Sequence, residues 1–366
     1  MMPSPGHPRL RGCPGRITDA HHAPRDAAHP DGDSPVTAVR HLCGRAVTEA
    51  AARHSRPGPG RGKDHEISPS DILTRSARPP DLVIPYGPLT HQFADVRLPA
   101  RSEDSKSSSA ARAKWPVVIF LHGGFWRSEF DRAHTGPLAA ALSASGFAVG
   151  TPEFRRTGQP GGGWPGTFDD VAAAADALPG LVAAAAVSAG GAADLSRVVL
   201  AGHSAGGHLA LWAAGRGTLP AGERWAAGRP AISGVVSLAG VCDLAACYRL
   251  GLGADAAGAL MGGGPGRYPA RYRAADPMGL VPTGVRVRLV HGTLDDRVPA
   301  GLSLAYAERG RAAGDEVECD LLDGCGHFEV IDPLSGAWPA VLGAFRGAAG
   351  QGGGAGPAAS GLGASR

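Results

Sequence analysis

The stretch "VVLAGHSAGGHLALW", residues 198 to 212, decides the fold because two apolar runs meet there at a short glycine-rich break. The first run shows no alternation and predicts a strand buried on both faces, and the second run predicts a helix. A strand that turns into a helix within two residues forces the central residue, Ser204, into an unfavourable backbone conformation. Gly202 and Gly206 leave room for neighbouring backbones on both sides of it.

This spacing is the Gly-x-Ser-x-Gly nucleophile elbow, which holds a serine hydroxyl outward at the carboxyl edge of a sheet. The helix that begins after Ser204 adds unpaired N–H groups and a partial positive charge. In the simplest structural alternative, the stretch is a glycine-rich turn and its serine only caps a helix. A phosphate-binding loop does not fit, because "GHSAGG" lacks the Lys-Ser/Thr ending and is not G-x-G-x-x-G.

The same pattern extends over residues 79 to 347. Eight strand-like runs alternate with five helical runs, which predicts an α/β fold with a mostly parallel sheet of about eight strands and helices on both faces. The first two runs, "DLVIPYGP" and "HQFADVRLPA", are short and predict an antiparallel pair. The helix in "TFDDVAAAADALPGLVAAAAV" is expected to have Thr167 or Asp169 as its N-cap.

Both ends of the chain differ from this central region. Residues 1 to 78 are rich in Pro, Gly, Arg and His without an apolar period, and residues 348 to 366 are rich in Gly and Ala. We predict two disordered or flexible tails. Seven of the fourteen histidines lie between His7 and His65, but their scattered spacing favours a solvated tail over a metal-binding tract.

Composition excludes several classes of function. The net charge of the 366 residues is +3 without a dense basic run, so nucleic acid is a weak candidate partner. No stretch of the sequence shows the roughly 18 to 20 apolar residues of a membrane span, and we expect no secretory signal because no apolar run follows the charged first residues. Six cysteines without CxxC pairs predict reduced thiols and a cytoplasmic location. No signal for an oligomeric state is present.

A serine nucleophile needs a base within hydrogen-bond reach and an acid that orients this base. In such sheets the expected chain order is Ser, acid, His. "HGTLDDRVP" places Asp295 in the loop after one buried strand, and "GCGHF" places His327 in the loop after the next. We predict Asp295 as the acid and His327 as the base. Asp296 and Asp243 remain alternatives for the acid.

The other histidines near these loops have structural explanations. His122 and His291 each end a strand just before a glycine, where a side-chain hydrogen bond would hold the following loop. His203 is the variable position of the elbow, and His208 lies one turn into the helix behind Ser204.

An oxyanion that develops during acyl transfer requires backbone donors. "HGGFW", residues 122 to 126, follows a buried strand, and its two glycines free the backbone so that the N–H groups of Gly124 and Phe125 can face the site. Ala205, which follows the serine, supplies a third donor. Taken alone, the Gly-Gly pair is equally typical of an ordinary turn.

These motifs resemble the α/β-hydrolase superfamily over roughly residues 80 to 347. "HGGFW" (His122, Gly123, Gly124, Phe125, Trp126) is similar to the HGGxW signature of kynurenine formamidase-like esterases and lipases. Phe125 stands where the hormone-sensitive-lipase branch has a third glycine, which argues against that branch. The resemblance implies a triad of Ser204, Asp295 and His327, without metal or organic cofactor.

The predicted function is hydrolysis of a small ester or aryl formamide through an acyl-enzyme on Ser204. Kynurenine formamidase proper is the alternative within the class, and a prolyl-oligopeptidase-like peptidase is disfavoured because the first 78 residues are too short for a propeller. A non-catalytic ligand-binding protein of the same fold is the alternative from another class. An insertion at residues 248 to 277 occupies the place of a lid, and five residues flank the predicted pocket: Phe125, Trp126, Phe154, Arg155 and Trp164.

Overall fold

The computed structural model describes residues 69–100, 114–226 and 231–351. Most of both predicted tails lies outside the described residues. The predicted tail boundary at residue 78 is too late, because Pro69–Leu73 form a 3-10 helix and the Ile72 side chain is fully buried in the core. Arg75 also forms an ion pair with Asp332 near the other end of the domain. The buried Ile72 side chain and the ion pair between Arg75 and Asp332 therefore attach this segment to the domain.

Eight strands form one sheet in the order β1-β2-β4-β3-β5-β6-β7-β8. β1 and β2 form the predicted antiparallel pair, β2 is also antiparallel to β4, and the remaining neighbours are parallel. The carboxyl ends of β3 to β8 therefore lie at one edge, where open α/β sheets bind ligands. The strands are β1 Leu82–Pro85, β2 Phe93–Arg97, β3 Trp115–Leu121, β4 Ala148–Pro152, β5 Ala193–His203, β6 Gly234–Leu238, β7 Arg286–Gly292 and β8 Val317–Leu322.

The central strands are apolar throughout because helices cover both faces of the sheet. In β3, Val117 and Ile119 belong to one buried cluster, and Val118 and Phe120 belong to the other. Helices α2, α3 and α7 contribute to the first cluster, and α1 and α8 contribute to the second. The eight helices of the described residues are α1 Gly136–Ala144, α2 Gly166–Ser188, α3 Ala205–Gly215, α4 Leu244–Arg249, α5 Leu252–Met261, α6 Pro269–Ala275, α7 Gly301–Ala312 and α8 Trp338–Ala348.

Helix α2 differs from the sequence prediction in two ways. Its N-cap is Pro165 rather than Thr167 or Asp169, because the chain is already helical at Gly166 and both of those residues lie inside the helix. Thr167 instead bonds the carbonyl of Arg155.

With 23 residues and a mean hydropathy of 1.7, α2 is also long and apolar enough to cross a membrane, unlike any stretch we expected. One face packs on the sheet through fully buried Val171 and Leu178, which explains these apolar residues.

The insertion after β6 is helical. Asp243 accepts a hydrogen bond from the Ala246 N–H and so caps α4, and α5 and α6 follow. At the start of α5, residues 253 to 255 adopt left-handed backbone conformations. The Arg127 guanidinium bonds the carbonyl of Gly253 and that of Ala254, the latter at 3.0 Å. The insertion is thereby tied to the loop that follows β3.

Candidate active site

Ser204 lies at the junction of β5 and α3 with φ 56° and ψ −118°, a conformation that non-glycine residues rarely adopt. The flanking glycines are required by space. A Cβ at Gly202 would lie 2.2 Å from the Gly206 carbonyl oxygen, and one at Gly206 would lie 2.1 Å from the Leu121 carbonyl oxygen. Larger residues at these positions would push β3, β5 and α3 apart, so the elbow geometry follows from backbone packing.

The structure places Asp295 against His327. The His327 Nδ1 lies 2.7 Å from the Asp295 Oδ2, and the Asp295 side chain is fully buried. The Asp295 Oδ1 accepts hydrogen bonds from the backbone N–H groups of Arg297 and Val298, both at 2.8 Å. Burial alone would raise the pKa of Asp295, but the hydrogen bonds from His291 and His327 outweigh it and hold this pKa well below its usual value.

His327 lies beside the nucleophile elbow. Its carbonyl accepts a hydrogen bond from the Nε2 of His203, the residue before Ser204, at 2.9 Å, and the two imidazole rings are 4.6 Å apart. Between the described residues Ser204 and His327, no side-chain hydrogen bond forms in this conformation. Catalytic hydrogen bonds in unliganded enzymes are commonly long and shorten when substrate binds.

The alternative acids have other positions. The Asp243 carboxylate caps α4, and Asp296 points toward solvent with a side chain 77% exposed beside Arg297. The structure also accounts for other histidines. The Nε2 of His208 donates to the Ala275 carbonyl at 3.0 Å within the core. The geometry therefore favours Asp295 and His327 over their competitors.

The "HGGFW" loop packs directly against the elbow. A Cβ at Gly123 would lie 3.2 Å from the Ser204 Cβ, a contact tighter than most Cβ contacts, so glycine suits this approach. Gly124, Phe125 and Trp126 all have positive φ, at 106°, 49° and 57°. Within the described part of the chain, the N–H groups of Gly124 and Phe125 donate to no backbone carbonyl. They are available as donors, as is the N–H of the first residue of α3, Ala205.

Glu153, a residue that the sequence does not single out, contacts this loop through the His122 side chain. The His122 ring lies with Nδ1 2.8 Å from the Gly123 carbonyl and Nε2 3.1 Å from the Glu153 Oε1. Burial raises the pKa of Glu153, but the hydrogen bond and charge of His122 and the charge of Arg156 lower it to about 2. The only sequence signal for Glu153 is its place just after β4, which many structural residues share.

The aromatic residues of the predicted pocket are largely packed. Trp126 and Phe154 are each 1% exposed, and Phe154 stacks on His122 at 4.4 Å. Trp164 contacts Trp225 edge-to-face at 4.9 Å. The Phe125 ring lies over Gly253 of the insertion, where a Cβ would be 2.6 Å away. Arg155 binds Asp170 at 2.7 Å. Their role in a substrate pocket stays a prediction.

A cavity of about 300 Å³ lies beside His327. Leu294, Arg297, Phe328 and Glu329 form parts of its wall. This volume is at the lower end of small-molecule sites. Among residues 69–100, 114–226 and 231–351, no group of three His, Cys, Asp or Glu side chains is arranged to hold a metal ion. The four cysteines in these ranges are free thiols.

Comparison with solved structures shows the α/β-hydrolase fold. A truncated carbohydrate esterase from gut microbiota superposes with a TM-score of 0.59 at 19% identity, over 75% of this chain and 100% of that chain. The bifunctional GH43-CE of Bacteroides eggerthii gives 0.55 at 21% identity, over 72% and 37%. Thermogutta terrifontis esterase 2 gives 0.54 at 21% identity, over 72% and 91%.

A search of curated proteins finds no significant match to the chain. The family model BD-FAE matches residues 104–309, which is more than half of the 366 residues and includes the elbow and Asp295. This chain therefore belongs to the BD-FAE family, a family of α/β-hydrolases of the esterase type.

Proposed function

We propose that this protein is a serine hydrolase that cleaves carboxylic esters of small molecules through an acyl-enzyme on Ser204. The observation that carries the proposal is the arrangement at the carboxyl edge of the sheet. His203, the residue before the serine of a strained elbow, contacts a histidine whose Nδ1 is 2.7 Å from a buried carboxylate. An orienting acid, a base and an activated hydroxyl are the three parts that acyl transfer requires.

In the proposed reaction, the Ser204 Oγ attacks the ester carbonyl carbon while the His327 Nε2 takes the hydroxyl proton. The Asp295 carboxylate keeps the other proton of His327 on Nδ1 and stabilises the imidazolium. The N–H groups of Gly124, Phe125 and Ala205 receive the oxyanion. His327 then protonates the leaving alcohol, and a water molecule attacks the acyl-enzyme with His327 again as base.

The comparisons support ester chemistry. The similar structures named above belong to esterases, and Thermogutta terrifontis esterase 2 has also been solved with bound butyrate and in a form phosphorylated by paraoxon. Phosphorylation by an organophosphate is typical of hydrolases with a reactive nucleophile. We infer the same reactivity for Ser204, and we expect small leaving groups to occupy the cavity next to His327.

Aryl formamides remain a narrower proposal that rests on the "HGGFW" motif alone. The named neighbours are esterases, so carboxylic esters are the favoured substrates. Turnover of N-formylkynurenine at a higher kcat/KM than short aryl esters would reverse this preference.

The test is hydrolysis of p-nitrophenyl acetate and butyrate by the wild-type protein and by Ser204→Ala. We expect the substitution to lower kcat by about 10,000- to 1,000,000-fold because the nucleophile is lost. It should also abolish labelling by a fluorophosphonate probe while leaving circular dichroism unchanged. Full turnover by Ser204→Ala would refute the proposal, as would a wild-type protein that neither hydrolyses any ester nor accepts the probe.

A further inference from the structure

A second histidine contacts the carboxylate of the proposed acid. The His291 Nε2 lies 3.1 Å from the Asp295 Oδ2, the same oxygen that faces His327. His291 is fully buried at the end of β7. The proposed mechanism makes no use of it.

The contacts of His291 determine where its proton lies. Nε2 is 2.8 Å from the Val298 carbonyl oxygen and 3.1 Å from the Asp295 carboxylate, and both of these groups only accept hydrogen bonds. Nε2 must therefore carry the hydrogen. Nδ1 is 2.8 Å from the Ser303 Oγ, so in the neutral ring it accepts the serine hydroxyl hydrogen.

Ser303 completes a buried chain of hydrogen bonds. It is fully buried in the first turn of α7, and its hydroxyl also lies 3.6 Å from the Cys242 Sγ. The sequence Ser303, His291, Asp295, His327 thus links α7, the end of β7 and the two loops that hold the acid and the base. The acceptors at the His291 Nε2 fix the hydrogen there, and the neutral Nδ1 in turn makes Ser303 the donor.

We propose that His291 is a positioning residue that holds the Asp295 carboxylate in the orientation in which its Oδ2 accepts the Nδ1 hydrogen of His327. This inference rests on the proposed function. Without the Nε2–H of His291, the carboxylate is held on its Oδ1 side by two backbone N–H groups and is free to tilt at Oδ2. His327 then spends less time with its Nε2 lone pair toward Ser204, so kcat falls while substrate binding is unaffected.

Two substitutions of His291 separate positioning from packing. Glutamine carries an N–H donor the same number of bonds from Cα as Nε2, whereas methionine fills similar space without a donor. We expect His291→Met to lower kcat for p-nitrophenyl acetate by about 10- to 100-fold, the range for loss of a hydrogen bond to a charged group, with KM within about twofold. His291→Gln should restore most of the loss.

Two buried serines that contact Cys242 provide a matched control. Ser237 lies 3.8 Å from the Cys242 Sγ but makes no hydrogen bond to His291, whereas Ser303 does. Ser303→Ala should lower kcat by about 3- to 10-fold because one neutral hydrogen bond is lost, and Ser237→Ala should leave it unchanged. Equal effects of the two substitutions on kcat would show that only the packing around Cys242 matters. This result would overturn the inference.

The decisive experiment measures whether the effect of His291→Met on kcat depends on the Asp295 carboxylate. In an Asp295→Asn background, His291→Met should lower kcat by less than about threefold further, because residues that act through one another are not additive. A wild-type rate for folded His291→Met, no rescue by glutamine, or full additivity with Asp295→Asn would each refute the role of His291. The proposed function would stand in those cases, provided that Ser204→Ala is inactive. If wild-type protein hydrolyses no ester, the proposed function fails first, and this inference fails with it.

Discussion

The two halves of the candidate active site are held by different forces. Around Ser204 the backbone itself is the constraint, because Gly202 and Gly206 each touch a neighbouring chain segment where a Cβ has no room, and Gly123 leaves little space. Around His327 and the Asp295 carboxylate, the constraints are side-chain and backbone hydrogen bonds between separate loops. The nucleophile half is therefore a steric arrangement, and the acid–base half is an electrostatic one.

This difference has a practical consequence for substitutions. Enlarging a residue in the nucleophile half should damage folding, because backbone segments must move apart. Removing a polar atom in the acid–base half should damage catalysis first, because the loops keep their remaining hydrogen bonds. The following predictions test this contrast, from the largest expected effect to the smallest.

Asp295→Asn should have the largest effect in the acid–base half. The amide would leave His327 with the wrong tautomer or a misoriented ring, so we expect kcat to fall by about 10,000-fold with little change in Tm. Steady-state kinetics on p-nitrophenyl acetate and thermal unfolding measure both quantities. Asp296→Asn is the matched control, because its side chain is 77% exposed and should leave kcat unchanged. If Asp296→Asn were the damaging variant, the acid would be misassigned.

Gly206→Ala should have the largest effect on folding in the nucleophile half. Its Cβ would lie 2.1 Å from the Leu121 carbonyl oxygen and 2.6 Å from that of His122, and both are backbone atoms that cannot rotate away. We expect the free energy of unfolding to fall by about 3 kcal/mol or more. Gly180→Ala, in an exposed part of α2 with nothing within 4 Å of the new Cβ, should instead raise it by about 0.5–1 kcal/mol. Urea unfolding distinguishes the two results.

The buried histidines should make stability depend on pH. Burial lowers the pKa of His208 to about 4 from an ordinary value of 6.5, because the charged ring would lose its water. Between these values the unfolded chain binds the proton and the folded chain does not, so stability is complete above pH 6.5 and decreases as the pH falls toward 4. The contribution of His208 is about 3 kcal/mol at most.

Urea unfolding at pH 7.5 and pH 5 should show this decrease, and His208→Gln should make it smaller. An equal decrease in wild type and His208→Gln would assign the pH dependence to other groups. His134 and His203 are affected in the same direction, also by burial, with the pKa of His134 lowered to about 4.

Asp243→Ala should have the smallest effect. Its carboxylate caps α4 by accepting the Ala246 N–H at 2.6 Å, and loss of such a cap lowers stability by about 1 kcal/mol. We expect kcat to stay within twofold of wild type, measured on the same ester. A fall of several hundredfold would instead indicate that Asp243 takes part in the chemistry.

Much of the fold could be predicted because local physical chemistry specifies it. Runs without alternation indicated strands buried on both faces, and all eight strands are found. The errors lie where tertiary contacts override local preference. Nothing in "PSDIL" shows that Ile72 is buried against the domain, and the start of α2 at Gly166 does not use the Thr167 cap that its sequence favours.

For the candidate site, the motifs predict a triad of Ser204, Asp295 and His327, which stays a prediction, and the structure places Asp295 against His327 beside the elbow. Two supporting residues had no usable signal. Glu153 lies behind the "HGGFW" loop, and His291 was interpreted only as a residue that holds a loop. Glu153 contacts His122 across 31 residues, and His291 lies only four residues before Asp295, where the spacing does not show which atoms meet.

The sequence by itself determined the elbow and the order of serine, acid and base, because glycine spacing and apolar runs express constraints between residues close along the chain. Only the tertiary structure decided that the carboxylate of residue 295 lies between two imidazoles and that residues 69 to 73 join the domain. The physical reason is that hydrogen-bond direction and burial depend on where several distant segments meet, and no single segment specifies that meeting point.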